Sequence, residues 1–275
     1  MLTPGKQFAH FMVENKIGEG GMGAAYLAED QKLGRKVVLK IVLAEYFDDE
    51  ERRERFYREA KTAAQVSHPN VMGIFDLGNE KDPETGQDLH YIVMEYIPGR
   101  SLTSILRDSK PEMATILRYA SKIASGLSAA HQKGIVHRDI KAENVLIDEN
   151  DEPKVLDFGL AKPVTPVQFE KDGDDSTRTF SQELTRAGKI LGTVTYMSPE
   201  QVRGEKVDSR SDIFSFGILL YQMATGEMPF AGQTQVSTLA KILESQPEPP
   251  HTRNADIPAE LERIIAKCLQ KDAAD

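Results

Sequence analysis

The segment IVHRDIKAENVLI, residues 135–147, is the most informative part of the chain, because charged residues stand there between two short apolar runs. Apolar runs of this length usually lie in a core, where an unpaired charge is costly, so the polar groups between them need partners or a ligand. A solvated turn between two strands is the alternative. Asp139, Asn144 and Asp157 lie close enough in sequence for adjacent hairpins to bring their oxygens together, as Mg²⁺ requires.

A glycine-rich stretch, GEGGMG at residues 18–23, fits the pattern G-x-G-x-x-G. Missing side chains let backbone N–H groups approach phosphate oxygens, although the pattern alone is weak and a purely structural hairpin is the alternative. A dinucleotide-binding fold would place a helix after this loop, whereas residues 24–29 and 36–42 have strand patterns. This context favours a glycine-rich flap over a nucleotide.

Lys40 lies near the end of an apolar strand pattern, and Glu59 follows in a helical segment that we expect Asp48 to cap. The helical period puts Glu59 on the same face as Phe56 and Ala63, so this acid lies on an apolar face and needs a cation. We therefore expect Lys40 and Glu59 to pair and to hold the ammonium where it can meet phosphates. An ordinary exposed acid is the alternative for Glu59.

Strand patterns precede helical patterns along the chain, with a break at Pro98-Gly99. We expect an α+β protein in which a small sheet-rich lobe with one main helix precedes a larger, mostly helical lobe. Residues 163–190 are acidic, rich in Ser and Thr, and show no sustained period. The single cysteine, Cys268, excludes an intrachain disulfide, and its helical pattern with Ile264 and Leu269 predicts a core position.

The chain has 275 residues and a net charge of −9, which argues against a general nucleic-acid surface. Its amino-terminal segment lacks the apolar core of a secretory signal. The longest apolar region, around residues 213–224, is too short and interrupted to cross a bilayer. We expect a cytoplasmic location, which includes the cytoplasmic part of a longer, membrane-anchored protein.

Further motifs follow in order from Phe11 to the last residue, and the full series reads GEGGMG, VVLK, Glu59, YIVMEY, HRDIKAEN, DFG, GTVTYMSPE and SDIFSFG. In this series the chain resembles the eukaryotic-like Ser/Thr protein kinases, particularly their bacterial members. The resemblance implies a bilobal protein kinase-like fold over residues 11–275, with an N-lobe at 11–96 and a C-lobe at 97–275. It also implies transfer of the γ-phosphate of ATP to Ser or Thr hydroxyls of proteins. A catalytically inactive pseudokinase that binds nucleotide is the alternative.

The resemblance implies catalytic roles for residues of the motifs. Asp139 would orient the substrate hydroxyl and accept its proton, and Lys141 would steady the transferred phosphoryl group. Lys40, held by Glu59, would bind the α- and β-phosphates. Phosphoryl transfer depends chiefly on in-line positioning and charge neutralisation, and this set of groups supplies both.

The resemblance also implies binding sites for ATP and for Mg²⁺, with Mn²⁺ as a substitute ion. Asn144 and Asp157 would be the metal ligands. Ala25 and Val38 exchange the large and small residues that the family usually places against adenine, so the total volume is nearly kept. The residues expected to contact ATP are Ile17, Gly18, Gly20, Gly21, Gly23, Ala25, Val38, Lys40, Met94, Glu95, Ile97 and Leu146.

Regulation and partners are implied in the same way. Arg138 and Lys162 match two basic positions that bind a phosphate on the activation segment, and Thr185 is the favoured autophosphorylation site. Thr193 would lie near Asp139 and the substrate hydroxyl. The expected partners are protein substrates with Ser or Thr, phosphothreonine-binding proteins and a second copy of the chain, with no nucleic acid.

The carboxyl end departs from the family. The family places an arginine shortly after the segment KDAAD, residues 271–275, and this arginine pairs with the residue that corresponds to Glu200. We therefore expect Glu200 to lack its partner, which can cost about 3 to 5 kcal/mol for a buried acid. We also expect the chain to be a fragment of a longer protein, with the C-lobe truncated just before that arginine.

Overall fold

The computed structural model describes residues 2–20, 23–43, 47, 49–82, 85–158 and 194–274, with the side chain of Arg52 excepted. The described residues divide between Pro98 and Gly99 into two compact units. Sheet dominates the first unit and helix dominates the second, so the predicted α+β class and the order of its two parts are confirmed.

Within the described residues, the first unit contains a six-stranded antiparallel sheet with the order β1-β2-β3-β4-β6-β5. Side chains alternate across this sheet, so Val37, Leu39 and Ile41 of β4 are buried in the core while Val38 and Lys40 face the other side and are half-buried. The strands are β1 Gln7–Phe8, β2 Phe11–Gly20, β3 Gly23–Asp30, β4 Arg35–Val42, β5 Ile74–Lys81 and β6 Asp88–Glu95.

Residues 2–10 pack on this sheet, although the sequence prediction starts the domain at residue 11. Leu2 and Phe8 join the same buried core as Phe11 and Tyr91. The ring of Phe8 meets the ring of Tyr91 edge to face, with centroids 5.3 Å apart. Strand β1 contains two residues, and a period cannot be recognised in a segment of that length.

Helix α1 spans Glu50–Ala63 and is capped by Asp49, whose side chain accepts a hydrogen bond from the backbone N–H of Glu51 at 3.0 Å. The prediction that Asp48 is the cap is wrong by one residue. Either aspartate has the right chemistry, but Asp49 is the one with extended backbone angles directly before the helix. Acids in the first turn further stabilise the positive end of the helix dipole.

The second unit contains helices around a small three-stranded sheet with the order β7-β8-β9. The strands are β7 Gly99–Ser101, β8 Val145–Asp148 and β9 Pro153–Val155. The helices are α2 Leu102–Asp108, α3 Met113–His131, α4 Pro199–Arg203, α5 Ser209–Thr225, α6 Gln235–Glu244 and α7 Ala259–Cys268. None of the helices in the described ranges is both long and apolar enough to span a bilayer.

Helix α5 is buried along almost its whole length and packs against α3 and α7. Gly217 allows α7 to approach closely, since a Cβ at this position would lie 2.6 Å from the Cβ of Cys268. Cys268 is partly buried, and burial raises the pKa of its thiol to about 11. Leu269 is buried as predicted, whereas Ile264 is 41% exposed, so the predicted apolar face was one residue too wide.

Candidate active site

A buried carboxylate holds the loop that connects α3 to β8. Asp212 lies in the first turn of α5 and is fully buried. Its oxygens accept hydrogen bonds from the backbone N–H groups of His137 and Arg138, at 2.7 and 2.8 Å, and contact Nε2 of His131 at 2.7 Å. Two consecutive loop amides therefore bind one carboxylate, which fixes the loop to the central helix of the unit.

The ring of His137 ties the same loop to the end of β9. Its Nε2 lies 2.6 Å from the carbonyl oxygen of Leu156, and its Nδ1 lies 3.2 Å from the backbone nitrogen of Asp139. Because a carbonyl can only accept, Nε2 carries the proton and Nδ1 accepts from the amide. Burial lowers the pKa of His137, so the ring is a neutral structural link, with Phe158 packed edge to face against it.

Two of the predicted site residues, Lys141 and Asn144, converge on a carboxylate oxygen of a third, Asp139. Oδ2 of Asp139 is 3.1 Å from Nζ of Lys141 and 3.0 Å from Nδ2 of Asn144. The side chains of Asp139 and Lys141 are 13% and 17% exposed, so the pair is largely shielded from water. The arrangement holds a carboxylate beside an ammonium in a partly buried position of the second unit.

Asn144 and Asp157 suit a hard cation such as Mg²⁺. The pairing of Val145 with Val155 puts them at the same end of the β8–β9 ladder, and the backbone N–H of Leu156 donates to the carbonyl of Asn144 at 2.8 Å. Nδ2 of Asn144 donates to Asp139. The other atom of the same amide, Oδ1, therefore points away from Asp139, and it is a hard oxygen of the kind that binds Mg²⁺. In the described part of the chain no cluster of three or more His, Cys, Asp or Glu could hold a metal.

Two residues of this region have left-handed backbones although they are not glycines. Arg138 has a φ of 65° and Asp157 a φ of 52°. Such conformations are uncommon for residues with a Cβ and persist only where the surroundings impose them. They redirect the chain directly before Asp139 and directly after Leu156.

In the first unit, the predicted ATP-contacting residues of the sheet share one face. Ala25 pairs with Lys40 across β3 and β4, and Val38 pairs with Met94 across β4 and β6. Met94 is buried, whereas Ala25, Val38 and Lys40 are partly exposed. The strand register therefore places an ammonium and small apolar side chains together on an accessible surface.

The glycines of the G-x-G-x-x-G pattern differ in what the structure requires of them. Gly23 has a φ of 140°, and a Cβ there would lie 1.8 Å from the carbonyl oxygen of Ile41. A Cβ on Gly20 would meet nothing within 4 Å, and one on Gly18 would only touch Cβ of Ala25 at 4.0 Å. Packing thus requires glycine at position 23, whereas the open space beside Gly18 and Gly20 suits a ligand that approaches the backbone.

The remaining predicted contact residues are distributed over both units. Ile17, on β2, is 51% exposed. Glu95 is the last residue of β6, and its backbone N–H donates to the carbonyl of Gly73 at 2.8 Å. The backbone N–H of Gly73 donates in return to the carboxylate of Glu95 at 3.1 Å. Ile97 is buried in the first unit, and Leu146 is partly buried on β8 of the second.

Glu59 lies on α1 and is partly buried, one turn from the buried Phe56 and Ala63. This position agrees with the predicted helix phase, but the pairing of Glu59 with Lys40 stays a prediction. Other predicted residues lie outside the described residues, namely Gly21, Lys162, Thr185 and Thr193.

The expectation that Glu200 is left uncompensated when the family's arginine is missing is wrong. Glu200 is partly buried, and its carboxylate accepts a hydrogen bond from the hydroxyl of Ser211 in α5. The charge of Glu200 also contributes to the raised pKa of Arg210, after the larger effect of Asp208. Neighbours on α5 thus satisfy the acid without the arginine that the family places further along.

His137 and Asp212, the two residues that hold the loop, have no predicted role. A signal was present for Asp212, because an acid inside the otherwise apolar run SDIFSFGILL must be satisfied by something when the helix is buried. The identity of its partners could not be found this way, since they lie about 75 positions earlier.

A family model described as "Protein kinase domain" matches residues 11–275. A probable serine/threonine-protein kinase of Clostridium acetobutylicum is 39% identical over 262 residues, covering 95% of this chain and 37% of the relative. Serine/threonine-protein kinase pkn3 of Myxococcus xanthus is 40% identical over 279 residues, 98% of this chain and 48% of that protein. Serine/threonine-protein kinase PrkC of Bacillus subtilis is 38% identical over 273 residues, which cover 99% of this chain and 39% of that protein.

The chain therefore spans less than half the length of each of these relatives. Among solved structures, the PknI kinase domain of Mycobacterium tuberculosis matches with a TM-score of 0.72 at 24% identity, over 100% of this chain and 93% of that one. This likeness confirms the predicted protein kinase-like fold.

Proposed function

The chain belongs to the protein kinase family, and on that premise we propose that it transfers the γ-phosphate of ATP to Ser or Thr hydroxyls of proteins. The observation that carries the proposal is the convergence of Lys141 and Asn144 on Oδ2 of Asp139. A solvated turn would not need a buried aspartate and a neutral buried histidine to hold it in place, as Asp212 and His137 do here.

Asp139 is the group that receives the substrate's hydroxyl proton. Its carboxylate is held by two donors, so the substrate hydroxyl would be oriented by a rigid acceptor as its oxygen attacks phosphorus. The ammonium of Lys141, 3.1 Å from the same carboxylate, can balance negative charge on the phosphoryl group during transfer. Such rigid positioning is the main requirement of phosphoryl transfer.

Members of the family use ATP and a divalent metal ion, generally Mg²⁺. We propose Asn144 and Asp157 as the metal ligands, with Mn²⁺ as a substitute, and the ion would neutralise charge on the phosphates. We propose that Lys40, oriented by Glu59, binds the α- and β-phosphates. The glycines of residues 18–23 would bind phosphate oxygens, and adenine would contact the remaining predicted apolar and backbone groups.

The test compares the wild-type chain with Asp139→Asn, using labelled ATP, Mg²⁺ and a generic basic protein as substrate. We expect transfer by the wild type and a rate at least about 100-fold lower in the variant, because the proton acceptor is lost. Asp256→Asn, an exposed aspartate on the same unit, is the matched control and should retain wild-type activity. Nucleotide binding without transfer in both wild type and Asp139→Asn would instead establish a pseudokinase.

We also propose that the kinase phosphorylates itself at Thr185, and that Arg138 and Lys162 bind the phosphate. Thr193 would lie beside the substrate hydroxyl. Phosphopeptide mapping after incubation with ATP should find Thr185 modified, and Thr185→Ala should lower the rate of transfer to other proteins. Modification of Thr177, Thr179 or Ser181 with Thr185 untouched would contradict this proposal.

The proposed partners, lobe limits and location follow from the kinase function. A kinase domain acts on protein substrates, and we propose phosphothreonine-binding proteins and a second copy of the chain as further partners. We propose lobe limits of 11–96 and 97–275 and a cytoplasmic location. Limited proteolysis tests the boundary, and sedimentation of the phosphorylated and unphosphorylated chain tests the pairing.

A further inference from the structure

The side-chain amide of Gln201 makes hydrogen bonds in two directions. On one side it completes a capping box at the start of α4, where its Oε1 accepts from the backbone N–H of Ser198 at 3.0 Å. The hydroxyl of Ser198 in turn accepts from the backbone N–H of Gln201 at 3.3 Å. On the other side, Nε2 of Gln201 donates to the backbone carbonyl of Arg138 at 2.9 Å.

The second bond reaches the peptide unit that leads into Asp139. Arg138 has a left-handed backbone, and its N–H donates to Asp212. Its carbonyl accepts from Gln201, so both peptide units around this strained residue are held by side chains from other elements. The carbonyl of Arg138 belongs to the same peptide plane as the N–H of Asp139, which donates to His137.

We propose that Gln201 is a positioning residue for phosphoryl transfer, which fixes the peptide plane before Asp139 and thereby aims the Asp139 carboxylate. The proposal rests on the proposed kinase function and extends it to a residue outside the loop. Gln201 acts through the Arg138 carbonyl, and it contacts neither Lys141 nor Asn144 in the bonds described above.

The competing explanation is that Gln201 only caps a five-residue helix. The two roles use different atoms of one amide, Oε1 for the cap and Nε2 for the loop. Glutamate is as good as glutamine at this position of a capping box, because its carboxylate also accepts from the N-cap amide. It cannot donate when ionised, and it would set a negative oxygen against the Arg138 carbonyl. Gln201→Glu therefore keeps the cap and removes the loop contact.

The experiment measures phosphotransfer kinetics and melting temperature for wild type, Gln201→Glu and Gln201→Met in the full chain. For Gln201→Glu we expect kcat to fall at least tenfold, KM for ATP to stay within about twofold, and the melting temperature to fall by only a few degrees, because the cap is kept and one hydrogen bond is lost. Gln201→Met loses both contacts, so kcat should fall and the melting temperature should fall as well.

Gln270→Glu is the matched control, because Nε2 of Gln270 also donates to a backbone carbonyl, that of Ala266 at 3.1 Å, at the end of α7. This control should keep wild-type kcat. A Gln201→Glu variant with wild-type kcat would overturn the proposal. So would a fall in kcat that appears only in Gln201→Met and follows its melting temperature, since capping would then explain the whole effect.

Hydrogen exchange separates this inference from the proposed function. Amides of residues 136–140 should exchange faster in Gln201→Glu than in wild type and Gln270→Glu, whereas amides of α3 should not change. If the wild type transfers no phosphate, the proposed function fails while this structural link is still supported by faster exchange. Unchanged exchange of residues 136–140 would overturn the link between Gln201 and the loop.

Discussion

The two units hold their predicted site residues in different ways. In the first unit, Ala25, Val38 and Lys40 lie on regular strands, and the backbone ladder alone sets their spacing and direction. In the second unit, Asp139 lies on an irregular loop that follows a left-handed residue. That loop is held by side chains, chiefly Asp212, which also contacts His131 of α3, and His137, which also contacts the carbonyl of Leu156.

The difference concerns how far the effect of one substitution spreads. A ladder distributes its stabilisation over many similar hydrogen bonds, so a side-chain change on a strand face alters mainly the chemistry of that face. A loop held by a few buried polar groups loses several bonds at once when one group changes, and unsatisfied partners remain buried. Substitution of a buried polar group that holds this loop should therefore lower stability and activity together, whereas a side-chain change on a strand face of the first unit should separate them.

The largest effect is expected for Asp212→Asn. An asparagine amide would present its NH₂ group to donors that now share a carboxylate, so at least one loop amide would lose its acceptor. We expect kcat to fall at least about 100-fold and the free energy of unfolding to fall by about 3 kcal/mol, measured by phosphotransfer and urea denaturation.

Asp208→Asn is the control for Asp212→Asn. Asp208 is the N-cap of the same helix, accepts from the backbone N–H of Arg210 at 2.8 Å, and has a side chain that is 46% exposed. Asparagine caps helices as well as aspartate does, so this change should cost less than about 1 kcal/mol and leave kcat unchanged. Equal effects of the two substitutions would mean that Asp212 acts only through helix stability.

The next largest effect is expected in the first unit, for Gly23→Ala. A Cβ would overlap the carbonyl of Ile41, and the φ of 140° is unfavourable for alanine, so we expect a loss of about 2 to 3 kcal/mol in unfolding free energy. Gly20→Ala is the paired variant, with open space around its Cβ. It should keep the stability and raise KM for ATP several-fold, because the methyl group would occupy the space proposed for phosphate. An unchanged KM would contradict the phosphate role of Gly20.

Much of the first unit could be predicted from the sequence, because the period of a strand is a local property. The alternation of Val37, Leu39 and Ile41 with Val38 and Lys40 is visible in the sequence and matches the two faces of β4. The mostly helical character of the second unit is predictable for the same reason, because long helices such as α3 and α5 show their period. Strand β1 and helix α4 were missed, since two and five residues are too few to show a period.

For the second unit, the sequence predicts which chemical groups belong to the site but not how they are arranged. Motif order located Asp139, Lys141 and Asn144, but nothing in a linear pattern says that Asp212 and Gln201 bind the backbone of Arg138 across 74 and 63 positions. The error at Glu200 has the same origin. The family pattern named one partner, and the fold provides another through Ser211.

A smaller effect is expected at the turn between β8 and β9, which is attached to α3. Asp151 has a φ of 62°, and its carboxylate accepts hydrogen bonds from Arg118 and from the hydroxyl of Tyr119. We expect Asp151→Ala to lower the unfolding free energy by about 2 kcal/mol, from the lost bonds and the left-handed backbone. Asp151→Gly loses the same bonds without the backbone strain, so urea denaturation should show a loss about 1 kcal/mol smaller. Equal losses would show that the turn relaxes.

The smallest effect is expected at Lys271, which is half-buried in the second unit. Its Nζ lies 3.7 Å from the ring centre of Phe230 and donates to the carbonyl of Ile242 at 2.8 Å. Burial lowers the pKa of Lys271 from 10.5 to about 8. Between pH 8 and about 10.5 the unfolded chain therefore binds more protons than the folded one, so stability should rise with pH across this window.

Urea denaturation from pH 7 to 10.5 tests this for wild type and Lys271→Met. The difference in unfolding free energy between them should shift by about 1 kcal/mol in favour of the wild type as the pH rises, a value reduced for the partial exposure of the ammonium. Lys241→Met controls for the loss of a positive charge, since exposed Lys241 also donates to a backbone carbonyl. No shift would mean that the aromatic ring and the carbonyl offset the burial of the ammonium.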